Sequence, residues 1–253
     1  MLPLRACVLL LLLSACASTP PVVASTTATD ETVLAEDVRI RRIAPGVWVH
    51  VTNADTKWGS TPANGLIVED GESSILVDTG WNPRHAEALL TWARDTLHHP
   101  VRAALVTHFH MDRTGGVPAL DAQGIPVYAR EDTARRAAAQ GNPVPGQRLS
   151  DAQDFGPLSV FFPGAGHTPD NLLVFHPATG VLYGGCFIKD ASAKDLGNLE
   201  DADTAAWPSS LQRARQHYPD ARVILPGHNL LGGPELLGHT EALLREVPPA
   251  ASR

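Results

Sequence analysis

Residues 101–116 read VRAALVTHFHMDRTGG, and the fold is decided by this stretch. Val101 to Val106 is an apolar, β-prone run, and Thr107-His108-Phe109-His110-Met111-Asp112-Arg113-Thr114 follows it directly. In extended backbone, side chains at i and i+2 share a face, so His108 and His110 point together and Asp112 comes next. Gly115-Gly116 then lets the chain turn sharply into a helix. A buried strand, a donor-rich loop and a helix make the unit of an α/β domain, whose sites lie at the carboxyl ends of strands. Two imidazoles and a carboxylate on one edge suit Zn²⁺.

Three more donors share that address. His167 lies in Gly166-His167-Thr168-Pro169-Asp170-Asn171, after an apolar run at Leu158 to Phe162. Cys186 follows Val181-Leu182-Tyr183-Gly184-Gly185, and His228 closes Leu225-Pro226-Gly227-His228. One histidine after a strand would carry little; six donors in the same topological position make a site. The other histidines are read as ordinary. His85, His98, His99, His176, His217 and His239 fall on expected helices or turns as solvated or capping groups, and His50 on an early strand carries no signal.

Outward from the site, the pattern stays α/β. Val38 to Ile43, Gly46 to Val51, Gly65 to Val68 and Ser74 to Val77 read as strands separated by Gly, Pro, Asn and Asp turns. Pro83 to Leu97 has helical apolar spacing, and further helices are expected near Glu131 to Ala139, Asp203 to His217 and Pro234 to Arg245. Strands are expected near Val127, Leu172 to Phe175, Val181 to Tyr183 and Arg222 to Leu225. No change of composition divides the chain after Val38, so residues 38–253 are taken as one domain. With 19% charged residues and a net charge of −7, the chain offers no Lys/Arg cluster for nucleic-acid phosphates. No apolar stretch reaches the ~18–20 residues of a membrane span.

The run His108-x-His110-x-Asp112, then His167, Cys186 and His228, resembles the metallo-β-lactamases, in the subclass with a three-histidine first zinc site and an Asp-Cys-His second site. Val77-Asp78-Thr79-Gly80-Trp81, Gly184 to Lys189 and Leu196-Gly197-Asn198 also look like that family, and the similarity covers about Val38 to Leu244. The resemblance implies a four-layered αβ/βα sandwich with two Zn²⁺ per chain at one edge. It implies hydrolysis of the β-lactam ring of penicillins, cephalosporins and carbapenems by a zinc-bound hydroxide, and hence antibiotic resistance. On that reading His108, His110 and His167 hold the first metal, and Asp112, Cys186 and His228 the second. Asp112 also orients the nucleophile, Asn198 stabilises the oxyanion and binds substrate, and Lys189 binds the substrate carboxylate. Asp78 hydrogen-bonds beneath the metals. Asn53 to Thr61 corresponds to a hairpin that covers substrates, with Trp58 either its apolar contact or an ordinary loop aromatic. Relatives acting on lactones or thioesters usually have His after the motif Asp and an Asp in place of Cys; Arg113 and Cys186 speak against that alternative. A non-catalytic zinc-binding lipoprotein would be suggested by a lost ligand, and none of the six is lost. Met111, apolar where relatives often carry a polar residue, is expected to tune the site.

The amino terminus reads as an address. Residues 1–15 combine Arg5 with the apolar run Ala6 to Leu13, as in a secretory signal peptide. Leu13-Ser14-Ala15-Cys16 resembles a bacterial lipobox, which implies lipidation of Cys16; an ordinary cleavable signal is the alternative. Ala17, rather than Asp, follows Cys16, so the resemblance implies a periplasmic domain anchored to the outer membrane. Residues 16–37, rich in Ser, Thr, Ala and Pro, then form the lipidated Cys and a flexible tether. With Cys7 removed and Cys16 acylated, Cys186 is a lone thiol in an oxidising compartment, either buried and inert or held by a metal. A monomer is expected.

Overall fold

The computed structural model describes residues 31–247. The signal segment, Cys16 and the tether as far as residue 30 lie outside the described residues. The chain runs β1 (Glu31–Ala35), β2 (Val38–Ala44), β3 (Val47–Thr56), β4 (Gly59–Asp70), β5 (Ser73–Val77), α1 (Pro83–Asp95), β6 (Val101–Leu105), α2 (Met111–Thr114), α3 (Val117–Ala122), β7 (Val127–Arg130) and α4 (Glu131–Gln140). It continues with β8 (Gln147–Leu149), β9 (Ala152–Phe155), β10 (Leu158–Phe161), β11 (Leu173–His176), β12 (Val181–Gly185), α5 (Trp207–His217), β13 (Val223–Pro226) and α6 (Glu235–Glu246).

Side-chain alternation dictates the layers. In β4, β5 and β6, Ile67, Leu76 and Ala104 face one way, and Leu66, Ile75, Val77 and Leu105 the other, with both sets buried. A strand apolar on both faces requires cover on both. The first set meets Ala86, Leu89 and Leu90 of α1 and Leu120 of α3. The second meets Val160, Val174, Tyr183 and Leu225 of a second sheet. That sheet's outer residues, Leu173, Leu182 and Ile224, are covered by Trp207 and Leu211 of α5 and Leu236 of α6. The result is helix, sheet, sheet, helix: the four-layered αβ/βα sandwich expected from the sequence. The first sheet has eight strands in the order β1 to β8, antiparallel as far as β5 and parallel from β5 to β8. The second has the order β13-β12-β11-β10-β9, with β12 and β13 parallel. Leu172 N–H to Thr107 O (2.8 Å) and Asn64 N–H to Gly227 O (2.8 Å) tie the two sheets together along one edge. The loops after β6, β12 and β13 emerge there.

Four details correct the sequence reading. Glu31–Ala35, assigned to the tether, is a strand paired with β2, and Leu34 and Ala35 pack on the α1 side of the core. The polar composition around it concealed the short β-prone run Thr32-Val33-Leu34. Helix α5 starts at Trp207 rather than Asp203, because the Asp203 side chain caps the preceding turn by accepting from Ala206 N–H at 2.8 Å. The short strands β8 and β9 had no apolar alternation to reveal them. His50, His85 and His176 are buried, not solvated or idle; His176 lies on β11 with Thr179 Oγ1 2.7 Å from its Nδ1.

His50 shows why a buried histidine belongs in this frame. It lies opposite Gly65 across the β3–β4 ladder, and its Nε2 donates to the carbonyls of Val77 (3.2 Å) and Asp78 (3.1 Å). Burial pushes its pKa down to about 4, so it stays neutral. Its grip holds Asp78 at φ 58°, a left-handed conformation that a non-glycine residue adopts only when its surroundings enforce it. The imidazole fits because residue 65 has no side chain: a Cβ there would come 2.2 Å from His50 Nε2 and 2.4 Å from Val77 O. Gly65→Ala is therefore expected to destabilise the protein by about 2 kcal/mol or more through overpacking. Urea unfolding checks this, and an unchanged midpoint would refute the packing argument.

Candidate metal centre and substrate cavity

Two groups of donors form at the tied edge. His108, His110 and His167 bring one ligand atom each to within 4.8 Å of one another, and so do Asp112, Cys186 and His228. All six donors inferred from the sequence are thus brought together. Chain geometry explains the grouping. His108 and His110 lie in the bent segment that leaves β6, with His110 itself extended at φ −66°, and Asp112 sits in the first turn of α2. His167 arrives on the β10–β11 loop, Cys186 immediately after β12, and His228 two residues after β13.

Three of the four imidazoles are oriented by what the far nitrogen does. His228 Nδ1 donates to Pro62 O at 2.5 Å, leaving its Nε2 lone pair 3.1 Å from Cys186 Sγ. His110 Nε2 donates to Asp201 Oδ2 at 3.0 Å, which leaves Nδ1 as a lone pair facing His167 Nε2 at 3.2 Å. Thr107 Oγ1 gives its proton to Asp78 Oδ2 (2.9 Å) and so accepts from His108 Nδ1 (3.2 Å). His108 Nε2 is then buried with no partner among the described residues. A His110 lone pair facing a second imidazole, and a buried His108 nitrogen aimed at nothing, fit a cation between the rings. A thiol, a carboxylate and imidazoles are the donor set of Zn²⁺.

Protonation agrees with that reading. Burial holds His108 and His167 well below the usual histidine range and brings His228 down to about 4, so these rings are neutral. Burial works to raise Asp112, but Arg113, His228 and His110 overcome it and keep the carboxyl below its usual value. Burial pushes the Cys186 thiol up to about 12. Arg113 lies behind this second group, wholly buried, with Nη2 2.6 Å from Asp112 Oδ2 and 2.9 Å from Cys186 Sγ. Its Nη1 donates to Asn64 O (2.6 Å) and Tyr183 Oη (2.7 Å). Asp78 sits beneath, accepting from Thr107 N–H at 2.8 Å and Tyr183 O–H at 2.7 Å.

Both groups open into a cavity of about 610 Å³. Lys189, Asn198 and Trp58, the three substrate contacts inferred from the sequence, all border it, as do Met111 and Trp81. Lys189 is half-buried and has no carboxylate partner among the described residues; burial lowers its pKa. Asn198 Oδ1 accepts from Glu200 N–H at 3.1 Å, which fixes the amide and leaves its Nδ2 to donate. Trp58 is 62% exposed at the two-residue turn between β3 and β4. That turn is stiffened by Thr56 Oγ1, which accepts from Trp58 N–H (3.1 Å) and lies 2.8 Å from Thr61 Oγ1. Sequence reasoning missed Asp201, Tyr183 and the structural part of Arg113. Asp201 alone had a signal, an acid three residues after Asn198; the others act through distances that no local pattern encodes.

Comparison with known proteins gives one answer. Residues 58–228 match the metallo-β-lactamase superfamily. A metallo-β-lactamase type 2 of Bacteroides fragilis is 35% identical over 87% of this chain and 90% of the relative. One of Pseudomonas aeruginosa is 33% identical over 81% of this chain and 83% of the relative. Among solved structures, a metallo-β-lactamase of Erythrobacter litoralis superposes with a TM-score of 0.83 at 36% identity, over 86% of this chain and 100% of the other. FIM-1 of Pseudomonas aeruginosa, in its mono-zinc form, superposes with a TM-score of 0.81 at 38% identity, over 85% and 98%. With the fold, both donor groups and relatives of nearly full length in agreement, the chain belongs to the metallo-β-lactamase superfamily.

Proposed function

We propose that the protein is a zinc-dependent β-lactamase that opens the ring of penicillins, cephalosporins and carbapenems and so confers resistance to them. The observation that carries this reading is the convergence of two complete donor groups on one cavity that also holds a lysine with no carboxylate partner among the described residues and an amide donor on Asn198. Zinc at these donors supplies Lewis acidity and brings the pKa of a water from 15.7 toward about 7. His108, His110 and His167 would hold one ion; Asp112, Cys186 and His228 would hold the other. The chain's other residues bind and orient. Lys189 attracts the substrate carboxylate into the cavity, where reduced solvation strengthens the pair. Asn198 donates from Nδ2 to the carbonyl oxygen as it gains charge. Asp112, kept ionised by Arg113, accepts a hydrogen bond from the attacking water and orients it. Trp58 presents an apolar ring over the substrate. Cys186, a lone thiol, is accounted for as a metal ligand.

Both donor groups and the cavity are complete within one chain, which supports action as a monomer. The segment Leu13-Ser14-Ala15-Cys16 supports export and lipidation at Cys16, holding the enzyme in the periplasm at the outer membrane. No helix among the described residues is long and apolar enough to cross a membrane.

Carbapenem hydrolysis by the purified protein is expected to stop with a chelator and return when zinc is restored. A folded, zinc-loaded sample without turnover would redirect the assignment to lactone or thioester substrates. Lys189→Ala is expected to raise KM about tenfold while kcat changes little, the signature of lost substrate binding shared by ground and transition states. Steady-state kinetics on a carboxylate-bearing β-lactam reads both constants, and an unchanged KM would remove Lys189 from the binding site.

A further inference from the structure

We infer that Asp37 and His85 form a brace that positions Trp81 in the wall of the substrate cavity, making both of them positioning residues for substrate binding. The inference rests on reading the cavity as the β-lactam site.

His85 lies in the first turn of α1 and is wholly buried, so both of its ring nitrogens must find partners within the protein. The Trp81 backbone N–H reaches Nδ1 at 3.3 Å, and a backbone N–H can only donate. Nδ1 is therefore the lone-pair nitrogen and Nε2 carries the proton. That proton is directed at Asp37 Oδ2, 3.0 Å away, in the turn between β1 and β2. Asn82 Nδ2 lies 3.2 Å from the same nitrogen but is itself a donor and adds no bond there. Asp37 is held in turn: Arg84 donates to the same Oδ2, and its carbonyl accepts from Asn53 N–H at 2.8 Å. The tautomer, the ring plane and the position of the Trp81 amide follow from these bonds.

Trp81 borders the cavity; among the described residues, neither Asp37 nor His85 does. The Trp81 indole N–H is buried and has no partner among the described residues, so no polar bond of its own fixes the ring. The ring must follow the backbone, and the backbone is gripped from two sides. His85 takes the amide, and Gly115 packs so closely that a Cβ there would lie 2.1 Å from Trp81 O. Releasing the His85 grip frees the ring to shift and loosens the apolar wall against which a bound substrate rests. An interaction of that kind is made equally with substrate and transition state, so its loss falls on KM.

The test uses the full chain with zinc loaded. His85→Phe keeps the ring volume and removes both nitrogens; His85→Asn restores an acceptor near the Trp81 amide. Expected are a KM increase of about fivefold for His85→Phe, the size of one neutral hydrogen bond, with kcat within about twofold and zinc content unchanged. His85→Asn should recover most of the loss. In a Trp81→Ala background, His85→Phe should add nothing to KM, because the brace acts only through that ring. Unchanged KM in a folded His85→Phe protein, or full additivity with Trp81→Ala, would overturn the inference. If His85→Phe does not fold, Asp37→Asn, which leaves the imidazole in place, is expected to raise KM about twofold, and no change would count against the brace. Wild-type protein inactive on β-lactams would sink the underlying reading instead, a result distinguishable from all of these.

Discussion

One buried guanidinium holds the two halves of this sandwich in register. Arg113 contacts Asn64 of β4 in the first sheet, and Tyr183 of β12 and Gly227 beyond β13 in the second. It also neutralises Asp112 and, at 3.4 Å, faces Asp78. Placing a cation where no water reaches costs several kcal/mol unless it is fully paired, and here nearly every donor meets an oxygen or sulfur. The arrangement works in both directions. The carboxylate and thiol of the second donor group can be buried because Arg113 is there, and Arg113 can be buried because they are. Without it, the edge where the sheets are tied would hold uncompensated acids instead of a site.

The donors themselves are organised from outside. The far nitrogens of His108, His110 and His228 are spoken for by a hydroxyl, a carboxylate and a carbonyl. Those three partners come from three different parts of the chain: the end of β6, the loop after Asn198, and β4. The tautomer of each of these three rings is thereby a property of the whole fold, and burial favours the neutral form of His108 and His228. The only donor that must give up a proton to bind metal is Cys186, and the guanidinium beside it favours the thiolate.

Much of this was legible from residues 101–116, because a strand followed by His-x-His-x-Asp leaves few alternatives for backbone direction or chemistry. Cys186 and His228 were legible for the same reason, each set at the end of an apolar run beside glycine. What stayed hidden depends on tertiary contact. His50 and His85 gave no signal because a buried histidine and a solvated one look alike in sequence; only the glycine facing one and the aspartate facing the other distinguish them. The strand Glu31–Ala35 was obscured by its polar neighbours and is defined by pairing with β2. Asp201 and Tyr183 act across 91 and 105 residues of chain, on His110 and Asp78, a separation that no periodicity reports.

The β3–β4 hairpin has a mechanical consequence. Strand β2 pairs with β3 only as far as Thr52, and β5 begins to pair with β4 at Leu66. Beyond those points Asn53 to Ala63 form a two-stranded arm with no neighbouring strand among the described residues, while its own ladder runs unbroken to Thr56 and Gly59. A two-stranded ribbon is marginally stable by itself, so the arm depends on how its root is held. That root is Asn64, whose side-chain amide donates to Pro226 O and Asn229 O, both at 2.9 Å, on either side of His228. Pro62, one step along the arm, holds the His228 ring. The root of the hairpin and the loop that carries His228 are thus held by the same contacts, so a load placed on the arm is also borne by the second donor group.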